Sequence, residues 1–315
     1  MNKSMEIGRA PKRLSRTFRK KNKVYWSMCA IPLAFVLVFN YLPMFGIIIA
    51  FKDYRFNKGI FGSEWVGFKN FEFLVKSNDF TRITRNTLLM NFTFIALGVI
   101  ASVLLALFLF ELTSRRKTKI YQTVLITPNF ISWVIVAYMV YALLDPQNGF
   151  INQIIRKFGG ENILWYSEPK YWPGILIICN IWKHFGMDSI IYYATLMAID
   201  TSYFEAARVD GANRFQIMIQ ITVPSLTTVI SILTILKIGN IFRADFGLFY
   251  QVTRDVGALY ETTDVIDTYI FRTMREIGDM GLSSAAGLLQ SVVGFITVLV
   301  TNFISKKINP DNALF

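Results

Sequence analysis

Six apolar runs, at roughly residues 24–51, 86–112, 120–144, 172–199, 223–242 and 284–305, limit what this chain can fold into. Each matches the span of about 20 residues that a helix needs to cross about 30 Å of hydrocarbon. Inside that medium the backbone must satisfy its own polar groups, which leaves helices as the expected form. Six such runs in 315 residues are too many and too long to be core helices of a water-soluble domain. The first is not expected to be a cleavable leader, since it is long and has no small-residue cleavage site. Trp26-Ser27-Met28 ahead of Cys29 does not resemble an acylation site either. Composition agrees, with 53% hydrophobic and only 17% charged residues. The expected architecture is all-α and integral to the membrane, with six transmembrane helices in one domain over 24–315 behind a basic tail at 1–23.

Orientation follows from lysine and arginine, which collect on the cytoplasmic side. The tail holds Lys3, Arg9, Lys12, Arg13, Arg16, Arg19, Lys20, Lys21 and Lys23 against the single acid Glu6. The loop after the second run holds Arg115, Arg116, Lys117 and Lys119, and the carboxyl end holds Lys306 and Lys307. With six crossings these regions share one side, so both termini and residues 200–222 are expected in the cytoplasm. The opposite loops are 52–85, 145–171 and 243–283; the last is acidic, while 52–85 is net basic and departs from the rule. The net charge of +12 comes largely from the tail and the loop at 115–119. Reading nucleic acid needs a folded or groove-reading element, and none is visible. Attraction to anionic lipid, about 1 kcal/mol per basic residue near the surface, is the expected role.

Ionisable groups at membrane depth usually face an interior or a cavity. The fourth run contains Asn180, Lys183, His184 and Asp188, with His184 and Asp188 four apart on one helix face. The fifth adds Lys237 and Asn240, with Arg243 and Asp245 at its outer end. One reading makes Lys183, His184, Asp188 and Asn240 the lining of a path for a polar solute. The other makes them interhelical pairs that hold the bundle, with a Lys183–Asp188 salt bridge among them. A hydrolase would need a nucleophile beside a base, and His184 has no Ser or Cys at close spacing. Cys29 and Cys179 have no metal spacing and cannot easily pair; both are expected as small buried apolar residues. Ser283, Gly287 and Ser291, with Gly294 nearby, are small residues that let helices pack closely. Tyr25, Trp26, Tyr41, Trp133, Trp165, Tyr171 and Trp172 fall near expected boundaries and fit interfacial belts. No Gly-x-x-x-x-Gly-Lys-Ser/Thr loop occurs to cradle ATP phosphates, and no internal repeat supports an inverted-repeat carrier.

Between the fourth and fifth runs stands Glu205-Ala206-Ala207-Arg208-Val209-Asp210-Gly211-Ala212, followed by Ile221-Thr222-Val223-Pro224. Ser202 and Glu205 have the spacing of a capping box, and Ala206 and Ala207 leave a flat surface for close approach. Gly211 tolerates positive φ, and Pro224 suits the first turn of the next helix. The segment, about 200–224, resembles the Glu-Ala-Ala loop of permease subunits of type I ATP-binding-cassette importers, with Val223 where the family pattern has Leu. Residues 43–74 carry an Ala-Phe-x-x-Tyr step and then Trp-Val-Gly-Phe-x-Asn-Phe. That stretch, like 281–315, is similar to carbohydrate-type permeases, in the branch importing oligosaccharides and polysaccharide breakdown products.

The resemblance implies a multi-pass subunit of the bacterial cytoplasmic membrane, not itself an enzyme. It implies pairing with a second, homologous permease, with an ATPase dimer that holds ATP and Mg, and with an extracytoplasmic solute-binding protein. This chain itself would bind no cofactor or metal. Glu205, Ala206, Ala207, Asp210, Gly211 and Pro224 are the implied ATPase-coupling residues. Permeases for a peptide, a polyamine or another polar solute share the architecture, and a self-sufficient channel or carrier is a different class; the coupling loop argues against the latter.

Overall fold

The apolar runs fold as helices. The structure, a computed structural model, describes residues 13–308, with side chains given for 25–307. Lys3, Arg9 and Lys12 of the basic tail and residues 309–315 therefore lie outside the described residues.

The first crossing begins as α1 (Arg13–Val36) and continues through a wide turn, Leu37–Tyr41, and a tight one, Leu42–Phe51. A two-residue hairpin, Lys52–Asp53 against Glu64–Trp65, then leads to α2 (Asn78–Glu111), capped by the Ser77 hydroxyl accepting from the Phe80 amide. Tyr25–Phe51, Asn78–Glu111 and Met280–Lys307 are each unbroken and apolar enough to cross a membrane.

Two expected runs are bent rather than straight. Residues 120–144 are split into α3 (Arg115–Ile126), extended by a tight turn at Thr127–Phe130, and α4 (Trp133–Leu144), which meet at 95° at residues 131–132. Pro128 interrupts the amide ladder there, and Ser132 restarts it as an N-cap for the Ile135 amide. The fifth crossing starts well before residue 223, at Arg214, bends by 50° at Leu226 and ends at Gly239. Before it come α5 (Trp172–Met197) and the short α6 (Thr201–Val209); its second part, α7, is Thr227–Gly239. At 26 residues α5 is about 39 Å long by the helical rise, enough to span, although it carries Lys183, His184 and Asp188. The last crossing is α8 (Met280–Ile308).

The most extensive pairing is α2 along α5. At one end Met90, Phe94, Val140, Trp172, Leu176 and Phe249 form a core. At the other, Ala106, Leu107, Tyr192, Leu196 and Leu226 form a second. Consecutive crossings therefore run antiparallel between two ends. The apolar windows of the first and last crossings are almost entirely unburied within the chain, leaving faces for lipid or a partner helix. Where α5 crosses α3, Gly186 sits so close that a β-carbon would collide with the Leu125 carbonyl oxygen.

Several small expectations change. Trp133, Trp165 and Trp172 pack inside; Trp172 is fully buried and its indole donates to the Trp165 carbonyl at 2.7 Å. Tyr25, Trp26 and Tyr41 remain exposed. Cys179 is buried but Cys29 is exposed. On α8, Ser283 donates to the Ile270 carbonyl and is used in packing, whereas Ser291 bonds back to its own helix at Gly287.

Part of the acidic loop at 243–283 is paired with arginine. The fully buried Asp264 carboxylate accepts from Arg272 at 2.8 and 2.9 Å and from Arg82 at 2.9 Å. Asn91, nearly buried on α2, donates to the carbonyls of Ile241 and Arg243 at 2.7 and 3.0 Å. Asn91→Ala strips both carbonyls of their donor. It is expected to destabilise the protein by about 1–3 kcal/mol, read as a lower melting temperature of the purified chain.

Candidate coupling corner and intramembrane cavity

The segment at 200–224 folds into a rigid corner. Asp200, not Ser202, is the N-cap of α6: its carboxylate accepts from the Ser202 amide at 3.0 Å. That amide bond holds the Asp200 carboxyl below the usual carboxylate range. The expected Ser202–Glu205 box is displaced because the helix starts two residues earlier, which puts Glu205 beyond reach of the N-cap. The far end of α6 is locked by two bonds, Gly211 N–H to the Arg208 carbonyl and Ala212 N–H to the Ala207 carbonyl. This is the Schellman arrangement, with Gly211 left-handed at φ +82°.

A capping box then opens the next helix, Asn213 and Gln216 each accepting from the other's backbone amide at 2.9 and 2.8 Å. Pro224 lies within the continuing helical stretch, where its fixed φ is tolerated. Glu205, Ala206, Asp210 and Gly211 are exposed, Ala207 is half-buried, and Tyr203, Val209 and Phe215 stand out as exposed apolar side chains. Behind the corner is a hollow of about 570 Å³ whose lining includes Glu111, Phe204, Glu205, Arg208 and Arg214.

A second cavity, of about 460 Å³, opens between α2, α5 and α7. Its lining brings together His184, Asp188 and Asn240 with Asn91, Asn180, Lys237, Arg243 and Asp245. Asp188 accepts directly from Lys237 on the neighbouring crossing, so it does not form the expected pair with Lys183. The Asp245 carboxylate accepts from the Trp133 indole at 2.7 Å and lies 3.9 Å from His184 Nε2. Asn240 is exposed in the lining and donates to the Leu236 carbonyl at 3.1 Å.

Lys183 is placed differently. It is buried, and its ammonium donates into the break between α3 and α4, to the carbonyls of Pro128, Asn129 and Ile131. It also lies 5.0 Å over the Trp133 ring. Trp133 was legible only as a belt residue, yet it links Lys183 to Asp245; Asn91 gave no periodic signal in its apolar run. The cavity thus offers amide, imidazole, carboxylate and cationic groups to a polar solute, with no nucleophilic Ser or Cys in its lining.

Antiparallel spanning helices, a polar cavity among them and a stiff polar corner at one end define a membrane transport permease. The chain belongs to the family of binding-protein-dependent transport system inner membrane components, whose sequence model it matches over residues 95–310. It is 34% identical over 292 residues to Protein LplB of Bacillus subtilis (strain 168), covering 93% of this chain and 91% of that one. It is 36% identical to the polygalacturonan/rhamnogalacturonan transport system permease protein YteP of the same organism, covering 88% and 86%. Its structure superposes on a bacterial transporter involved in import of the acidic polysaccharide alginate, with TM-score 0.85 and 33% identity, over 95% of this chain and 100% of that one. A second structure of an alginate transporter, in complex with an alginate pentasaccharide-bound periplasmic protein, matches at TM-score 0.82 and 34% identity over 92% and 96%.

Proposed function

We propose that this chain is one permease half of an ATP-driven, binding-protein-dependent importer of oligosaccharides in a bacterial cytoplasmic membrane. The observation that carries this reading is the pairing of a polar intramembrane cavity with the stiff corner at 200–224. The cavity supplies hydrogen-bonding groups for a hydroxyl-rich solute. The names of the similar proteins point to saccharides.

In this reading the termini and the corner face the cytoplasm, where basic residues concentrate. An ATPase dimer, carrying ATP and Mg, docks on the corner through Glu205, Ala206, Ala207, Asp210 and Gly211, with Tyr203, Val209 and Phe215 adding apolar contact. A second homologous permease completes the path, and a solute-binding protein delivers from the opposite end. When the ATPases close they push the corner as a lever, and a doubly capped turn transmits that displacement where a loose loop would absorb it.

The test is a pull-down of the tagged chain from detergent-solubilised native membranes, with bound proteins identified by mass spectrometry. Recovery of a second permease and an ATPase is the expected result, with the ATPase alone lost in a Glu205→Arg variant. A folded chain that comes down alone and transports without an ATPase would instead indicate a self-sufficient channel or carrier. In the cavity, Asp188→Asn leaves Lys237 unpaired beside the solute. It is expected to lower oligosaccharide uptake roughly tenfold, about 1.4 kcal/mol, with normal membrane levels on immunoblot. Uptake of a peptide or polyamine with no saccharide uptake would reassign the solute.

A further inference from the structure

We infer that a second saccharide subsite, selective for a sugar ring bearing a carboxylate, lies between α4 and the turn at 248–255; this rests on the importer reading above. A separate hollow of about 200 Å³ opens there, and its lining includes Tyr138, Tyr141, Tyr250, Gln251, Arg254 and Asp255. It shares no lining residue with the cavity that holds Asp188. The space suits one pyranose ring and not a folded peptide segment.

The rings are held in place. Tyr138 and Tyr141 are one turn apart on α4 and so share a face. Tyr250 is stacked on Phe246 with centroids 4.9 Å apart, and both rest against Phe271. Aromatic faces of this kind receive the C–H face of a sugar and keep a polar edge for its hydroxyls, and the Gln251 amide adds a donor and an acceptor.

Arg254 supplies the selectivity. Its guanidinium lies 4.3 Å over the Tyr141 ring and is exposed. Among the described residues it has no carboxylate partner, because its neighbour Asp255 is taken by Arg272 at 3.3 Å and by the Tyr260 hydroxyl at 3.1 Å. Arg254 and Asp255 both adopt left-handed backbone, at φ 57° and 49°. For non-glycine residues this costs on the order of 1 kcal/mol or more each. The strain is fixed by the Arg254 amide donating to the Gln251 carbonyl and the Asp255 amide donating to the Thr253 hydroxyl. The result is a planar cation presented over an aromatic wall, a geometry that accepts a carboxylate through two parallel hydrogen bonds. A neutral ring satisfies the tyrosines but leaves that cation unanswered. The similar transporters named for alginate and polygalacturonan handle polymers of such acidic sugars.

The test uses the full chain, purified with whatever subunits accompany it, in lipid nanodiscs. Binding is titrated with trigalacturonate and with an alginate pentasaccharide, and with the fully methyl-esterified form of each, which has the same rings without charge. The wild type is expected to bind the acids at least tenfold more tightly than the esters. Arg254→Gln is expected to remove that preference by weakening the acids to the level of the esters. Tyr138→Ala, truncating a largely exposed ring, is expected to weaken both. If Arg254→Gln does not purify, Gln251→Ala and Tyr138→Ala carry the test. Variants that titrate as wild type, while Asp188→Asn weakens binding, overturn the subsite and leave the importer reading standing. A wild type that binds neither acid nor ester, yet takes up a different solute, overturns both.

Discussion

Replacing Gly211 with valine is expected to stop ATP-driven uptake while the chain still inserts and the ATPase still turns over. The reasoning is conformational rather than steric. Nothing lies within 4 Å of where a β-carbon at Gly211 would stand, so there is room for a side chain. What valine cannot do comfortably is hold φ near +82°, where Gly211 closes the two bonds that end α6. A left-handed residue with a β-carbon costs about 1–2 kcal/mol, more when β-branched. The turn is largely exposed and has little packing to hold it, so that amount is enough to let it open. A graded series separates conformation from bulk. Gly211→Asn should retain most uptake, Gly211→Ala an intermediate amount, and Gly211→Val almost none, because asparagine tolerates the left-handed region best of the three. Uptake of labelled oligosaccharide is measured alongside ATP hydrolysis by the purified complex. Normal uptake in the valine variant, or equal losses across the series, would sink the lever.

How much could be read without coordinates depended on whether the cause was local. The apolar runs gave the helical, membrane-spanning character of the chain because burial in hydrocarbon acts on each segment by itself, but not that two of them are bent. The turn at Gly211 was legible for the same reason: a glycine after a short helix states its own backbone need. The capping residue was missed by two positions because Asp200 and Ser202 both satisfy the local chemistry, and only the actual start of α6 decides between them. The break at residues 127–132 was missed although Pro128, Asn129 and Ser132 are turn-forming residues, because they sit inside a run whose hydropathy favours one helix. Its stabilising partner, Lys183, is more than 50 residues away in sequence. Gly186 against Leu125 and Asn91 against Ile241 are likewise pairings between separate crossings. Nothing in either partner's neighbourhood announces them. For the polar groups, spacing correctly placed His184 and Asp188 on one face, but it could not choose Lys237 over Lys183 as the acid's partner.

That reassignment of Lys183 carries the other large prediction. A lysine buried in the middle of a crossing costs several kcal/mol to desolvate unless its donors are satisfied. Here the ammonium has three donors and meets three backbone carbonyls, those of Pro128, Asn129 and Ile131, at the point where α3 and α4 meet at 95°. Among the described residues the Asn129 and Ile131 carbonyls have no backbone partner at the break, whereas that of Pro128 also accepts from the Ile131 amide at 3.2 Å, and water is scarce at that depth. Lysine and bend thus satisfy each other. Lys183→Met keeps the length and apolar stem of the side chain but removes all three donors. Each orphaned carbonyl costs about 1–3 kcal/mol, partly offset by no longer burying a charge, for a net loss of about 3 kcal/mol. Trp133 loses the cation over its ring as well, and with it the anchor that aims its indole at Asp245. The expected outcome is a sharp fall in the amount of folded protein recovered in detergent and in its melting temperature, with uptake falling in proportion to the protein that remains. Lys237→Met, which empties a cavity-facing position, should show the opposite pattern, near-normal recovery with uptake lost. Full recovery and stability of Lys183→Met with uptake abolished would return Lys183 to the solute path and remove it from the bend.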